Sequence, residues 1–454
     1  MSLTIHPRHP LSGTISLPGD KSLSHRAALF ASLAAGTSRI DGFLISGVTS
    51  RLLDALTLLG IPWKQEGASL IVEGHGIGGF LTPSAVLNCG NSATTFRFLA
   101  GALASSGKPA VLDGSAGLRR RPMERIIEPL QLMGVDVEGT SGCAPLTLGT
   151  SNLPLRGGVF NLPVASAQVK TCLLLAGLAA REPVTIVEPG FSRDHSERML
   201  ESMGLTIRCE KVSTEGHTQY LTHMTPPAAL CSLQPLKMSL PGDFSSAAFL
   251  IVAALITPGS EITIRDVGLN ATRTGLLDVL LSMGASIQIT AKPTRSGEPV
   301  GDLTIRHSIL KGVDVSGEQV VRMIDEFPIF AVAAAYAEGT SSVRDANELR
   351  LKESDRITAL CTELLQLGAQ VEEAPDGFTI HGRGSLQGGT IDPHGDHRLA
   401  MSLAIAGLAA QQPVTIENSA IINESFPEFD EVLTKLGANL VSFSNKPVAE
   451  HMPA

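Results

Sequence analysis

Six short segments of the chain set hydroxyls, cations and carboxylates directly before apolar runs. The first three read Pro18-Gly19-Asp20-Lys21-Ser22-Leu23-Ser24-His25-Arg26, Gly90-Asn91-Ser92-Ala93-Thr94-Thr95-Phe96-Arg97 and Ala165-Ser166-Ala167-Gln168-Val169-Lys170. The other three are Pro241-Gly242-Asp243-Phe244-Ser245-Ser246, Ile324-Asp325-Glu326-Phe327-Pro328 and Gly395-Asp396-His397-Arg398. Hydroxyls there are ordinary helix caps, worth about 1 kcal/mol each, and Ser245 and Ser246 are read as no more than that. A cap needs no cation, and a cation at a helix N-terminus opposes a macrodipole that favours anions by about 0.3–1 kcal/mol. Lys21, Arg26, Arg97, Lys170 and Arg398 therefore make sense if they and free backbone N–H groups share an anionic ligand.

Further charge of the same kind lies at Arg119 to Pro122 and in Lys352-Glu353-Ser354-Asp355-Arg356. If the latter stretch is helical, Lys352 and Arg356 share a face. Asp325 and Glu353 sit beside apolar sequence or cations, where ionisation can be tuned, and are the carboxylates expected to move protons. His195 and His397, each after an Asp, are read as structural hydrogen-bonders. The phosphate loop G-x-x-x-x-G-K-[ST] and a strand-borne G-x-G-x-x-G are absent, as are G-x-S-x-G and H-E-x-x-H. The residues alone thus indicate an enzyme for phosphorylated ligands, without metal or organic cofactor.

The elements that must position these groups repeat. A helix-like segment ending in glycine recurs six times, at Gly60, Gly134, Gly204, Gly284, Gly368 and Gly437, spaced by about 70 to 84 residues. Each glycine suits a left-handed C-cap followed by a strand. In phase with it runs an Ala-rich helix, such as RAALFASLAAG or RLAMSLAIAG, apolar nearly all round and so buried on every side. Units this long are no solenoid repeat; six of them group as two α/β domains of three, each burying its helices behind sheets.

The 454 residues exceed by about threefold the ~150 typical of one domain. Charged residues are 17% and the net charge is −9 with no basic block, which excludes a disordered chain and a nucleic-acid binder. Six scattered cysteines (Cys89, Cys143, Cys172, Cys209, Cys231, Cys361) without a C-x-x-C pair read as reduced thiols rather than a zinc site. No signal or transit segment is recognisable and no apolar run could span a bilayer, so a soluble cytoplasmic protein, away from membranes, is expected.

Nine segments, LPGDKSLSHRA, GNSATTFR, RRPM, SAQVK, SRDHSERM, IDEFP, LRLKESDR, GDHRLAM and ESFPEF, occur in the order found in the 5-enolpyruvylshikimate-3-phosphate synthase family, which the chain resembles from about residue 5 to about 440. The resemblance implies a two-domain inverted α/β barrel, each domain made of three repeated units with buried parallel helices. One domain would comprise residues 1–20 plus 240–454 and the other residues 21–239, with the active cleft between them. It implies transfer of the enolpyruvyl group of phosphoenolpyruvate to the 5-hydroxyl of shikimate 3-phosphate, within aromatic amino-acid biosynthesis, by a cofactor-free monomer.

By motif, Lys21, Ser22, Arg26, Ser166, Ala167, Gln168 and Arg193 would hold shikimate 3-phosphate. Arg121, Arg356 and Arg398, with Lys21 and Gln168, would hold phosphoenolpyruvate, a use suited to forked guanidinium donors. Asp325 would accept the 5-hydroxyl proton, Lys352 would orient the ring, and Glu353 would protonate the methylene carbon. Because the cations would repel one another across an empty cleft, the free enzyme is expected to be open and to close on shikimate 3-phosphate.

Two positions depart from the commoner family pattern. Ala93 replaces a frequent glycine, as in the glyphosate-tolerant subgroup that the chain resembles. Glu424 stands where many relatives carry a lysine that touches phosphoenolpyruvate; the resemblance assigns it no role. The sister enzymes that use UDP-N-acetylglucosamine fit less well, since Ser22 follows Lys21 and no cysteine sits in a matching loop. A catalytically silent metabolite-binding protein is the rival from another class.

Overall fold

Six four-stranded sheets, all with one strand order, account for the sixfold sequence repeat in the computed structural model, which describes residues 1–214, 217–229 and 232–443. In one of them Gly158–Asn161 runs parallel to Val184–Glu188, with Phe160 opposite Ile186. That strand pairs antiparallel with His217–Thr225, which in turn pairs antiparallel with Thr206–Thr214. Between the two parallel strands lies a buried helix, and after the second comes a shorter one closed by the repeated glycine. All six of those glycines are left-handed, with φ between 77° and 101°.

Three sheets take a strand from a distant part of the chain. Ser12–Ser16 completes the sheet of Glu261–Gly268, and Lys237–Ser239 completes the sheet of Ala35–Asp41. Ser2–His6 lies between Val414–Ile416 and Asn439–Phe443, so the N-terminus joins the last unit. The fold is thus mixed α/β in two domains, around two separate cores. One core gathers Leu23 to Leu240; the other joins Leu3, Ile5 and Leu11 to Phe244 through Ala438.

The buried helices are Lys21–Leu33, Ala93–Ser106, Ala167–Gly177, Phe244–Ile256, Phe327–Tyr336 and His397–Ala406. Alanine is the strongest helix former and its side chain is short, so these helices are stable and can approach closely. At Gly101 the approach is closest: a Cβ there would lie 2.2 Å from the carbonyl oxygen of Cys172 on the neighbouring helix. Cys231 lies outside the described residues. No described helix is long and apolar enough to cross a membrane.

Candidate active site

Each of the six polar segments that precede an apolar run meets the start of a buried helix. The side chains of Asp20, Ser92, Ser166, Asp243 and Asp396 each accept a hydrogen bond from a first-turn N–H of the helix that follows. The Phe327–Tyr336 helix begins instead with Pro328, whose missing N–H costs nothing in the first turn. Ser245 and Ser246 are not the caps expected: Asp243 accepts from both their N–H groups, a carboxylate being the better acceptor there. The Ser245 hydroxyl turns instead to Glu326 and Arg273.

Most of the singled-out residues converge on one cleft between the two halves. Lys21, Ser22, Arg26, Ala167, Gln168 and Arg193 line it on one side, and Asp325, Lys352, Glu353 and Arg398 on the other. An adjoining pocket shares Lys21, Arg121, Gln168 and Glu353 and adds Ala93 and Glu424. Ser166 and Arg356 stand just behind these walls, the former as a helix cap. Arg356 is 1% exposed and reaches Glu353 at 2.7 Å and Asp396 at 2.7 Å.

Asp325 is the focus of the cation set. Arg193 reaches it at 2.7 Å, Arg398 at 3.5 Å, Arg356 at 3.7 Å and Lys352 at 3.9 Å. Burial alone would raise its carboxyl, but Arg398, Arg193, Lys352 and Arg356 together hold it well below the usual range. Glu353 is likewise pulled well down against burial, chiefly by Arg121 at 3.3 Å and Arg356. Cations of one wall therefore face carboxylates of the other: Arg193 meets Asp325 and Arg121 meets Glu353 across the cleft. The cross-cleft repulsion behind the expected opening is offset in this arrangement.

Two of the cations expected to share the ligand do other work. Lys170 is 1% exposed between Glu188 at 2.8 Å and Glu197 at 2.7 Å, and those carboxylates outweigh burial and keep it protonated. Its anion is supplied by the protein itself. Arg97 donates to the Gln168 side-chain oxygen at 2.6 Å and to the Pro122 carbonyl at 2.9 Å, so it orients a cleft residue from beneath. The segment from Lys352 to Asp355 is not helical; the helix begins at Arg356 with Asp355 as its cap. Lys352 and Arg356 approach each other through Asp325 rather than through a shared helix face.

His195 is a structural residue, pairing through Nδ1 with Glu298 at 2.7 Å. His397 instead lines both pockets; its buried Nε2, like that of His195, has no hydrogen-bond partner among the described residues. Burial and the Lys21 charge hold its imidazole down at about 3, so it faces the cleft neutral. His25 was also overlooked, although the i, i+4 spacing from Lys21 signals it; its Nδ1 meets the Lys21 carbonyl at 2.9 Å. The described residues contain no cluster of His, Cys, Asp and Glu suited to a metal ion.

Burial, with Arg398 nearby, pulls the Lys21 ammonium down to about 8, and burial does the same for Lys352. Both groups lose their charge as pH rises through that value. Affinity for inorganic phosphate is therefore expected to fall between about pH 8 and 9.5, where most of the phosphate is already the dianion and its remaining titration acts in the opposite sense. A calorimetric titration flat across this range would contradict the assignment.

A family model described as EPSP synthase (3-phosphoshikimate 1-carboxyvinyltransferase) matches residues 5–433. The 3-phosphoshikimate 1-carboxyvinyltransferase of Geobacter sulfurreducens is 45% identical over 436 residues, covering 96% of this chain and 99% of the relative. Its counterpart in Coxiella burnetii strain RSA 493 is 44% identical over 441 residues, covering 96% and 97%. A solved EPSP synthase from Acinetobacter baumannii superposes with a TM-score of 0.83 at 37% identity, covering 97% of this chain and 99% of that one.

Proposed function

The chain belongs to the EPSP synthase family, and from that premise we propose how its own residues move the enolpyruvyl group of phosphoenolpyruvate to the 5-hydroxyl of shikimate 3-phosphate and release phosphate. The observation that carries the reading is the pair Asp325 and Glu353, set in one cleft and surrounded by cations from both halves. We place the domain boundaries near residues 20/21 and 239/240, in line with the two cores and with the pairing of Ser12–Ser16 and Lys237–Ser239.

In this reading Lys21, Ser22, Arg26, Ser166, Ala167, Gln168 and Arg193 hold shikimate 3-phosphate, with Lys352 against its ring. Arg121, Arg356 and Arg398, with Lys21 and Gln168, hold phosphoenolpyruvate. Protonating the methylene carbon from Glu353 creates an oxocarbenium-like centre. The 5-hydroxyl attacks it as Asp325 takes the hydroxyl proton, and the tetrahedral adduct then loses phosphate from the central carbon and a proton from the new methyl group, returned to Glu353, to regenerate the enol ether. Holding two anions side by side in a fixed array of charges supplies much of the rate.

Ionised Glu353 has no proton to give. A bound phosphate and carboxylate would neutralise Arg121 and Arg356, the cations that hold it down, so ligand binding itself would raise its carboxyl toward protonation. The same neutralisation of Arg398 and Arg193 would strengthen Asp325 as a base.

Phosphate release that requires both substrates tests the function; none with both present would favour the silent binder. The UDP-sugar reading loses further ground because no described cysteine lines the cleft, and burial pushes the Cys89 thiol up. We also propose glyphosate tolerance. Ala93 opens the Ala93–Ser106 helix and lines the adjoining pocket, where its methyl group would crowd the longer inhibitor more than phosphoenolpyruvate. Ala93→Gly is expected to raise glyphosate sensitivity about tenfold to hundredfold, the scale of an overpacking cost of about 1–3 kcal/mol. Equal inhibition of the two proteins would end this proposal.

A further inference from the structure

Glu424 ends the Ser419–Glu424 turn and lines the pocket that also contains Lys21, Ala93, Arg121 and Glu353. The other carboxylate there, Glu353, is paired with two arginines, whereas Glu424 has no cation within 4.0 Å among the described residues. The turn lies in the half containing Phe244 through Ala438, but the carboxylate rests against Gly47, which starts the Gly47–Leu58 helix of the other half. A Cβ at Gly47 would fall 3.0 Å from Glu424 Oε2, so the glycine leaves the space the carboxylate fills. Burial raises the Glu424 carboxyl, while Lys21 and Arg51 act from further off in the opposite sense.

A negative group without a close counter-ion on the wall of an anion pocket must weaken every anion that enters it. The effect falls with distance, so it is felt most by anions carrying charge toward that wall. We propose that Glu424 is a specificity-determining residue that lowers affinity for the phosphoenolpyruvate-side anion while leaving shikimate 3-phosphate nearly untouched. The inference rests on the proposed function, because it assigns this pocket to the donor. Glu424 does not reach the cation cluster around Asp325, which explains the asymmetry between the substrates. A purely structural role, bracing the Gly47–Leu58 helix, would depend on the shape of the side chain and would act on both substrates through closure of the cleft.

Steady-state kinetics at about pH 8, well above the ordinary range of a glutamate carboxyl, separate these roles. Glu424→Gln keeps the shape and removes the charge, and is expected to lower KM for phosphoenolpyruvate about fivefold. Glu424→Lys is expected to lower it about tenfold or more, with KM for shikimate 3-phosphate within about twofold in both variants. Calorimetric titration with inorganic phosphate, which needs no turnover, should show the same order of affinities. An unchanged or higher KM for phosphoenolpyruvate in Glu424→Gln, or KM values for both substrates rising together, overturns the proposal. Phosphate affinities that rise as expected in a protein without turnover would uphold the electrostatic role of Glu424 and remove the assigned reaction instead.

Discussion

Glu353→Gln is expected to slow turnover by about 10²–10⁴-fold, the range for losing a positioned general acid. Glutamine nearly matches glutamate in shape, but Arg121 and Arg356 meet different carboxylate oxygens, so the single amide oxygen keeps only one of them as a partner. What it lacks is a transferable proton. Asp325→Asn should lose a similar factor for the converse reason, because an amide oxygen is a poor base. The two variants should differ in binding. Asp325 faces Arg193, Arg398, Arg356 and Lys352, and asparagine would leave those cations uncompensated. Shikimate 3-phosphate should then bind at least as tightly as to the unaltered enzyme although the reaction is slow. Single-turnover measurements with direct titration of shikimate 3-phosphate read both quantities. A fall in turnover of less than about tenfold in either variant would remove that carboxylate from the proton-transfer role.

The parts of this molecule that were legible in the chain are those set by local rules. Each repeated glycine ends a helix in a left-handed conformation that other residues adopt only at a cost, so its position marks a boundary wherever it occurs. The Ala-rich runs are buried because they have no polar face to turn outward. Lys170 was misread for the opposite reason. Whether a lysine beside a helix start faces a ligand or a buried carboxylate depends on Glu188 and Glu197, which arrive from a later strand and helix. Arg97 depends in the same way on Gln168 and Pro122. His397 follows an Asp much as His195 does, yet one faces the cleft and the other faces Glu298. Nothing local distinguishes them, since Glu298 reaches His195 from far along the chain and only the tertiary arrangement sets His397 on the wall of both pockets.

The resemblance placed the junction of the two halves, but the pairing that holds it went unread, although its signal is present. The pentapeptide Ser-Leu-Pro-Gly-Asp occurs at residues 16–20 and again at 239–243, once at each place where the chain passes from one core to the other. The two copies pair: Asp20 donates its N–H to the Pro241 carbonyl at 2.9 Å, and Asp243 donates to that of Pro18 at 3.2 Å. Each aspartate caps the helix after it, and Asp243 also accepts from the Lys21 N–H at 2.9 Å. The reach of each copy for the other cannot be inferred from either alone.

Arg273 binds the two crossings together, and its loss should have the largest effect on stability. Its guanidinium, 2% exposed, donates to Asp20, to Asp243 at 2.7 Å and to the Ser245 hydroxyl at 2.9 Å. Arg273→Met keeps much of the stem volume but leaves two carboxylates buried without their cation. Breaking a buried ion pair in this way costs about 3–5 kcal/mol, which should appear as a lower urea midpoint near neutral pH. Arg273→Lys should fall between the two, because one ammonium cannot fork to both aspartates. The pH dependence fixes the sign. Burial would raise the Asp20 carboxyl, but Arg273 foremost holds it below 3.8, so its contribution to stability is present above that value and is lost as pH falls through its lower folded value. The gap between Arg273→Met and the unaltered protein should therefore be widest near neutrality and narrow in acid, as pH falls toward the lowered folded value of Asp20. A gap of less than about 1 kcal/mol at neutral pH, or one that widens in acid, would mean that the crossings are held by their backbone pairing and not by this arginine.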